Sequence, residues 1–346
     1  MKIRNALLTL LLAGISHVHA AAPYKKLAEI PIPDEGGWDF LSIDDAAHRL
    51  YVSHSTEVVV VDIEHNTVVG KIADTPGVHG IAIAPELARG FSSNGKEAKS
   101  SIVDLKTLKT ISKVDTGENP DAILYEPLQH EVYAFNGRGQ SATVFDATSG
   151  KVIATIPLGG KPEFAVDDKD AKSVYDNLED KSVVAVIDEA KHQVVNTWPT
   201  APGEEPAGMA FDAKNHRLFL GCGNNLMAMM DSTNGKIITT VPIGAGVDAC
   251  AFDPATKLAF SSCGDGTVTI AHEDSPDKMT VVQTLATERG AKTMALDPQT
   301  HRIYLATAKF EAPAPSAPGA PRQRPKIIPG TMKVLVYGAD AVASDQ

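Results

Sequence analysis

Six charge-bearing side chains recur at nearly constant spacing along the 346-residue chain: Asp39, His79, Asp121, Glu163, Asp248 and Lys292, with Ala207 in the remaining place. The steps between the seven positions are 40, 42, 42, 44, 41 and 44 residues. If the fold gathers them, four carboxylates converge with one imidazole and one amine. Like charges held together resist ionisation unless something compensates. The set therefore points to a pocket for a cation or a cationic group. Asp, Glu and His together also offer donors for a divalent ion, with the oxygens favouring calcium, magnesium or manganese. A repeating fold gathers equivalent residues in any case, and polar groups at strand starts often serve only to cap backbone.

The elements that must position these residues come from a repeat. A turn residue, often Asp, precedes an aromatic by seven positions: Asp44 and Tyr51, Ala84 and Phe91, Glu126 and Tyr133, Asp168 and Tyr175, Asp212 and Phe219, Asp253 and Phe260, Asp297 and Tyr304. Each unit divides into four short strands. In the third unit, Ala122 to Tyr125, Glu131 to Phe135, Ala142 to Phe145 and Lys151 to Ile156 are separated by turn-rich segments. A second marker, Asp62, Asp104, Asp146, Asp188 and Asp231, closes the third strand, where its carboxylate can accept backbone N–H groups of the next turn. Seven four-stranded units of about 40 residues predict an all-β, seven-bladed β-propeller with antiparallel blades. The last unit lacks its fourth strand, and Lys26 to Ile32 matches the fourth-strand segments Val152 to Leu158 and Ile237 to Ile243. The N-terminal strand is therefore expected to complete the last blade and close the ring.

Tyr51-Val52-Ser53-His54, Phe91-Ser92-Ser93-Asn94 and Tyr133-Ala134-Phe135-Asn136 each lead into a strand ending in Asp. These segments resemble the YVTN-type repeat of YncE-like β-propellers, and the likeness spans essentially the whole mature chain. The resemblance implies an exported propeller. It implies no single function, because members of that group have been linked to surface layers or to DNA. Tyr175-Asp176-Asn177-Leu178 and Phe260-Ser261-Ser262-Cys263 depart from the pattern. WD40 repeats fit less well, since Trp38-Asp39 falls at a first-strand start.

In a propeller the first strand lines the central channel, and the loop entering it shares a face with the loop leaving the second strand. The second column on that face is His54, Asn94, Asn136, Leu178, Cys222, Cys263 and Thr307. The candidate ligand-binding residues are thus Asp39, His54, His79, Asn94, Asp121, Asn136, Glu163, Asp248 and Lys292. His48, His130, His216 and His301 fall in turns on the opposite face and are read as turn residues. Cys222, Cys250 and Cys263 permit one disulfide with a thiol left over, three buried small residues, or a soft-metal site with a histidine. Between the second and third strands of the last unit, 309–330 form an insertion carrying Pro313, Pro315, Pro318, Pro321, Pro325 and Pro329, with Arg322, Arg324 and Lys326. Such a segment favours extended conformations, and its charge would complement an acidic mouth.

The N-terminus reads as a cleavable signal peptide over 1–20, with Lys2 and Arg4 before a short apolar run and small residues at Val18 and Ala20. A periplasmic or secreted protein without a membrane anchor is expected, with the propeller over 21–338 and a tail over 339–346. Setting aside Lys2 and Arg4, 30 basic residues oppose 43 acidic ones, which disfavours nucleic acid. There is no nucleophile elbow, phosphate loop or H-E-x-x-H motif. The reading is a non-enzymatic, monomeric binding or scaffold protein that takes a small molecule or a protein at the channel mouth. No cofactor is required, although a divalent cation is admissible. A metal-dependent hydrolase or lyase of lactonase type, using the mouth carboxylates, is the alternative. Single-stranded DNA binding is a third reading, raised by the resemblance alone.

Overall fold

The structure is a computed structural model that describes residues 23–33, 36–312 and 326–339. The segment 1–20 read as a signal peptide, the centre of the proline-rich insertion and all but the first residue of the tail lie outside the described residues.

Seven four-stranded antiparallel sheets form the chain, as the repeat predicts. From the axis outwards the strands of each blade are termed a, b, c and d. The third blade runs Pro120–Glu126, Glu131–Asn136, Ser141–Asp146 and Val152–Pro157. The a strands of successive blades touch one another all the way round, including the last against the first. They form the inner wall of the ring. The d strands alternate toward solvent and carry Lys71 and Lys113, which keeps the outer edges from pairing with other chains.

Ring closure follows the sequence expectation. Lys25–Pro31 pairs antiparallel with Lys333–Gly338, so the seventh sheet holds the first and last strands side by side. The a strand of that blade is short, Met294–Asp297, because Ala291 to Thr293 leave the ladder. All seven marker aromatics are buried. Each packs across a blade junction: Tyr175, for example, lies 5.7 Å from Trp198 of its own blade and 6.0 Å from Phe211 of the next. The seven apolar clusters are therefore wedges between blades, which fixes the angle at which each a strand meets the axis.

The second marker does the local work expected of it. Asp104 Oδ1 accepts from the Lys106 and Thr107 N–H groups, and Asp146 Oδ1 from Thr148 and Ser149. His48, His130, His216 and His301 adopt left-handed backbone in the a–b turns, on the face away from the channel mouth. Cys222, Cys250 and Cys263 are all free and buried, so the disulfide is not formed. Burial pushes each thiol up to about 12, so on their own all three stay protonated at neutral pH.

Candidate functional site

The first column of residues converges at one end of the inner wall. His79 Nδ1 lies 2.7 Å from Asp39 Oδ2 and 3.4 Å from Asp121 Oδ1. One ligand atom from each of these three residues lies within 4.8 Å of the other two, a spacing that suits a shared ion. Lys292 Nζ is paired with Asp248 Oδ1 at 2.9 Å. Glu163 and Glu179 share the ammonium of Lys161. Five carboxylates thus face His79, Lys161 and Lys292, and negative charge is in surplus even when the imidazole is protonated.

The electrostatics follow from burial. Desolvation pushes Asp121 up to about 6, against the pull of the His79 charge. Burial also raises Asp248 and Glu163, although each touches a lysine. Burial by itself would lower His79; the hydrogen bond to Asp39 and the field of Asp121 outweigh it and raise it. Behind Glu163 lies Asp176, fully buried, with neither carboxylate oxygen meeting a donor. Its burial holds it far above the usual carboxylate range, and Glu163 adds to the effect.

At this level the channel is narrowed by two aromatic side chains. Phe40 and Phe164, from blades one and four, meet across the axis with ring centroids 5.4 Å apart, edge to face. They follow Asp39 and Glu163 directly and form an apolar floor under the carboxylates. The aligned residues in the other blades are Gly80, Ala122, Gly208, Ala249 and Thr293, all small enough to leave room for two rings. A Cβ on Gly80 would meet Phe40 at 3.5 Å.

The second column behaves differently. His54, Asn94 and Asn136 are buried at the ends of their b strands. Asn94 Nδ2 donates to Glu97 and Ser101, and Asn136 Nδ2 to Ser141 and Thr143. His54 lies 3.9 Å from Glu57. The two asparagines brace their own blades, while the first column is partly exposed at the mouth. Sequence reasoning missed Lys161, Glu179, Phe40, Phe164 and Asp176. The two phenylalanines in a column of small residues, and the break in the Tyr175-Asp176-Asn177-Leu178 repeat, were the available signals.

The base of the proline-rich insertion is anchored at the rim of the mouth. Phe310 and Ile327 form an isolated bridge, and Ile328 N donates to Lys309 O at 2.8 Å. Phe310 lies 6.1 Å from Trp38, at the start of the first a strand. A cavity of about 370 Å³ elsewhere, bordered by Asp168, Trp198 and His216, is on the opposite face and contains none of the mouth residues.

An all-β ring of seven blades with an acidic, aromatic-floored mouth places the chain among the seven-bladed β-propellers. Comparison with known proteins adds the same fold at low identity. A chain of Kuenenia stuttgartiensis hydrazine synthase is 17% identical with a TM-score of 0.69, over 79% of this chain and 93% of that one. A chain of a mitotic checkpoint complex is 15% identical with a TM-score of 0.72, over 88% and 96%. No family model and no curated protein matches the sequence. Among the described residues no helix is long and apolar enough to cross a membrane.

Proposed function

We propose that this chain is an exported propeller of the YVTN type that binds an organic cation, free or as a basic side chain of a protein partner, at its acidic mouth. The observation that carries the reading is the pairing of surplus carboxylates with an aromatic floor. Asp39, Asp121 and Glu163 supply charge, and Phe40 and Phe164 supply ring faces and edges that accommodate an alkylammonium. Burial of the carboxylates strengthens each contact, because a cation there replaces poor solvation rather than bulk water. The positive residues Arg322, Arg324 and Lys326 lie in the insertion whose ends sit at the rim.

The test is titration of the purified chain with spermidine and with an oligolysine peptide. Asp121→Asn, Glu163→Gln and Asp248→Asn combined should weaken binding by roughly tenfold or more. Unchanged affinity in that variant, with the fold intact by circular dichroism, removes the proposal. The spacing of Asp39, His79 and Asp121 favours a second reading, a metal-assisted hydrolase or lyase. Turnover of a lactone panel that depends on added divalent metal and is lost in Asp39→Asn would select it.

A further inference from the structure

The cavity of about 370 Å³ on the face opposite the mouth lies between blades four and five. One position of the repeat accounts for it. Arginine opens the b strand in four of the seven blades, as Arg49, Arg89, Arg217 and Arg302. Three of these cross to the next blade. Arg49 Nη1 donates to Leu105 O and Arg89 Nη1 to Ala147 O, both at 2.8 Å, and Arg217 Nε donates to Pro276 O at 2.6 Å. Arg89 also reaches Thr148 O. Blade three has Glu131 there, which meets His192 of blade four, and blade six has Leu258, which packs into the core shared with blade seven. Blade four has Ser173. Counted from the Asp that ends each c strand, Ser232 and Thr233 of blade five stand where Ala147 and Thr148 stand in blade three. Ser173, Ser232 and Thr233 all line the cavity. Its space is the one that a crossing arginine fills at the junction of blades two and three.

The walls of that space are short of donors. Ser232 is 3% exposed, and its Oγ has no hydrogen-bond partner. The Tyr175 hydroxyl lies 3.0 Å from Ser232 O and 3.2 Å from Asp168 Oδ2. It carries one proton, so one of those two acceptors goes without. The hydroxyls of Ser173 and Thr233 already donate to Ala171 O and Asp231 Oδ1. Asp168 is buried, and Asp170 is exposed at the rim. Arg217 of blade five is turned to blade six, where it holds Pro276 O and lies 3.4 Å from Asp277. Lys169 and Lys172, in the same turn as Asp170, do not border the cavity. Trp198 and Val186, both buried, supply its apolar wall.

We propose that this cavity binds a guanidinium group on an alkyl stem, the chemistry of an arginine side chain. A guanidinium brings five N–H donors in a planar fork and no acceptor, which is what the walls lack. Ser232 Oγ, the Ser232 and Thr233 carbonyls and the Asp168 carboxylate are the acceptors for it. The aligned carbonyls of blade three already serve the guanidinium of Arg89. Trp198 offers the stem an apolar surface, and a guanidinium plane stacks on an indole. The volume is near the lower end of the roughly 300–1,000 Å³ of small-ligand sites, enough for one such group and its stem. This site stands apart from the mouth and does not depend on the reading given to it.

The experiment is calorimetric titration of the full chain with ethylguanidinium and with butylammonium, a cation of equal charge without the fork. Ethylguanidinium should bind and raise the Tm, and butylammonium should bind roughly tenfold more weakly, for want of a second charge-assisted hydrogen bond. Ser173→Arg places a tethered guanidinium in the cavity, so it should abolish ethylguanidinium binding and raise the Tm of the ligand-free chain. Ser232→Ala removes a buried hydroxyl that has no partner, so it should fold as the native chain does. It should weaken binding roughly tenfold, which keeps the test decisive if Ser173→Arg misfolds. A chain carrying Asp121→Asn, Glu163→Gln and Asp248→Asn, which lacks the mouth site, should bind ethylguanidinium at the cavity as before. L-arginine and a peptide with a single arginine separate a free small molecule from a protein side chain as the natural source, and binding of either supports the site. No ethylguanidinium response in the native chain, equal binding of butylammonium, or binding unchanged in Ser173→Arg or in Ser232→Ala would overturn the proposal. Binding lost in the mouth variant would also overturn it and assign the guanidinium to the mouth.

Discussion

The junction of blades two and three and the junction of blades three and four use the same strands in the same order, with opposite chemistry. At the first, Phe91 stacks on Tyr125 at 5.9 Å and meets Phe145 edge-on at 6.0 Å, and Arg89 closes the contact on the carbonyls of Ala147 and Thr148. At the second, Tyr133 keeps its aromatic place, but the carboxylates of Glu131, Glu189 and Glu126 lie close enough to act on it. The difference shows that the repeat prescribes backbone register and one aromatic wedge. Everything around the wedge is free to change, provided that its charge is answered.

Three substitutions sharpen or break this comparison. Removing the wedge should cost most: Phe91→Ala should destabilise by about 3–5 kcal/mol in urea unfolding, since a large fully buried ring leaves a cavity. A loss under about 1 kcal/mol would mean that the blades do not depend on it. Arg89→Ala should cost about 2 kcal/mol, because it strips charged donors from the two carbonyls. If that variant unfolds like the native chain, the arginine closure is not energetic and the contrast between junctions loses its basis. Glu189→Ala, which copies Ala147, should stabilise the metal-free chain by about 1 kcal/mol at neutral pH by removing an unanswered buried acceptor. Destabilisation instead would show that the carboxylates already hold a partner strong enough to repay their burial.

The smallest effect is pH dependence at the mouth. Asp121 is raised from 3.8 to about 6, so the folded state holds an extra proton across that window. Its contribution is therefore greatest at low pH and is lost as pH rises through about 6. His79 is also raised above its ordinary 6.5, so its stabilising charge is complete below that value and lost as pH climbs through the higher folded value. Both run the same way. The Tm of the metal-free chain should fall between pH 5 and pH 8, and Asp121→Asn should flatten the slope. A rising Tm over that range contradicts the placement of these groups.

The fold was readable because its determinants are local and repeated. Tyr51, Phe91 and their counterparts mark one strand in each blade, and Lys26 to Ile32 carries the pattern missing from the last unit. The first column of charges was readable for the same reason, since register carries equivalent residues to equivalent places. What register does not encode is which way a side chain turns at a strand end. Asn94 and Asn136 share a face with the mouth in the sequence pattern, yet they turn into their own blades to satisfy Glu97, Ser101 and Thr143. Contacts across the axis were equally hidden, because Phe40 and Phe164 are 124 positions apart and meet only when the ring is closed. The carboxylates between blades three and four lie in three separate strands and turns. Each looks ordinary until the columns are compared with their neighbours.

Closure by Lys25–Pro31 against Lys333–Gly338 sets an order of events in the making of the molecule. Lys25–Pro31 has no partner until Lys333–Gly338 has emerged. Through that interval the inner blades can form locally, but the ring has two open ends, and the loop joining the partners is nearly the whole chain. The entropy of closing such a loop grows only with the logarithm of its length, so the delay is a matter of timing more than of final stability. Early release of the chain before residues 333–338 would leave the first strand without a place to go. Arrival of both closing strands is thus registered by the same hydrogen bonds that hold the finished ring.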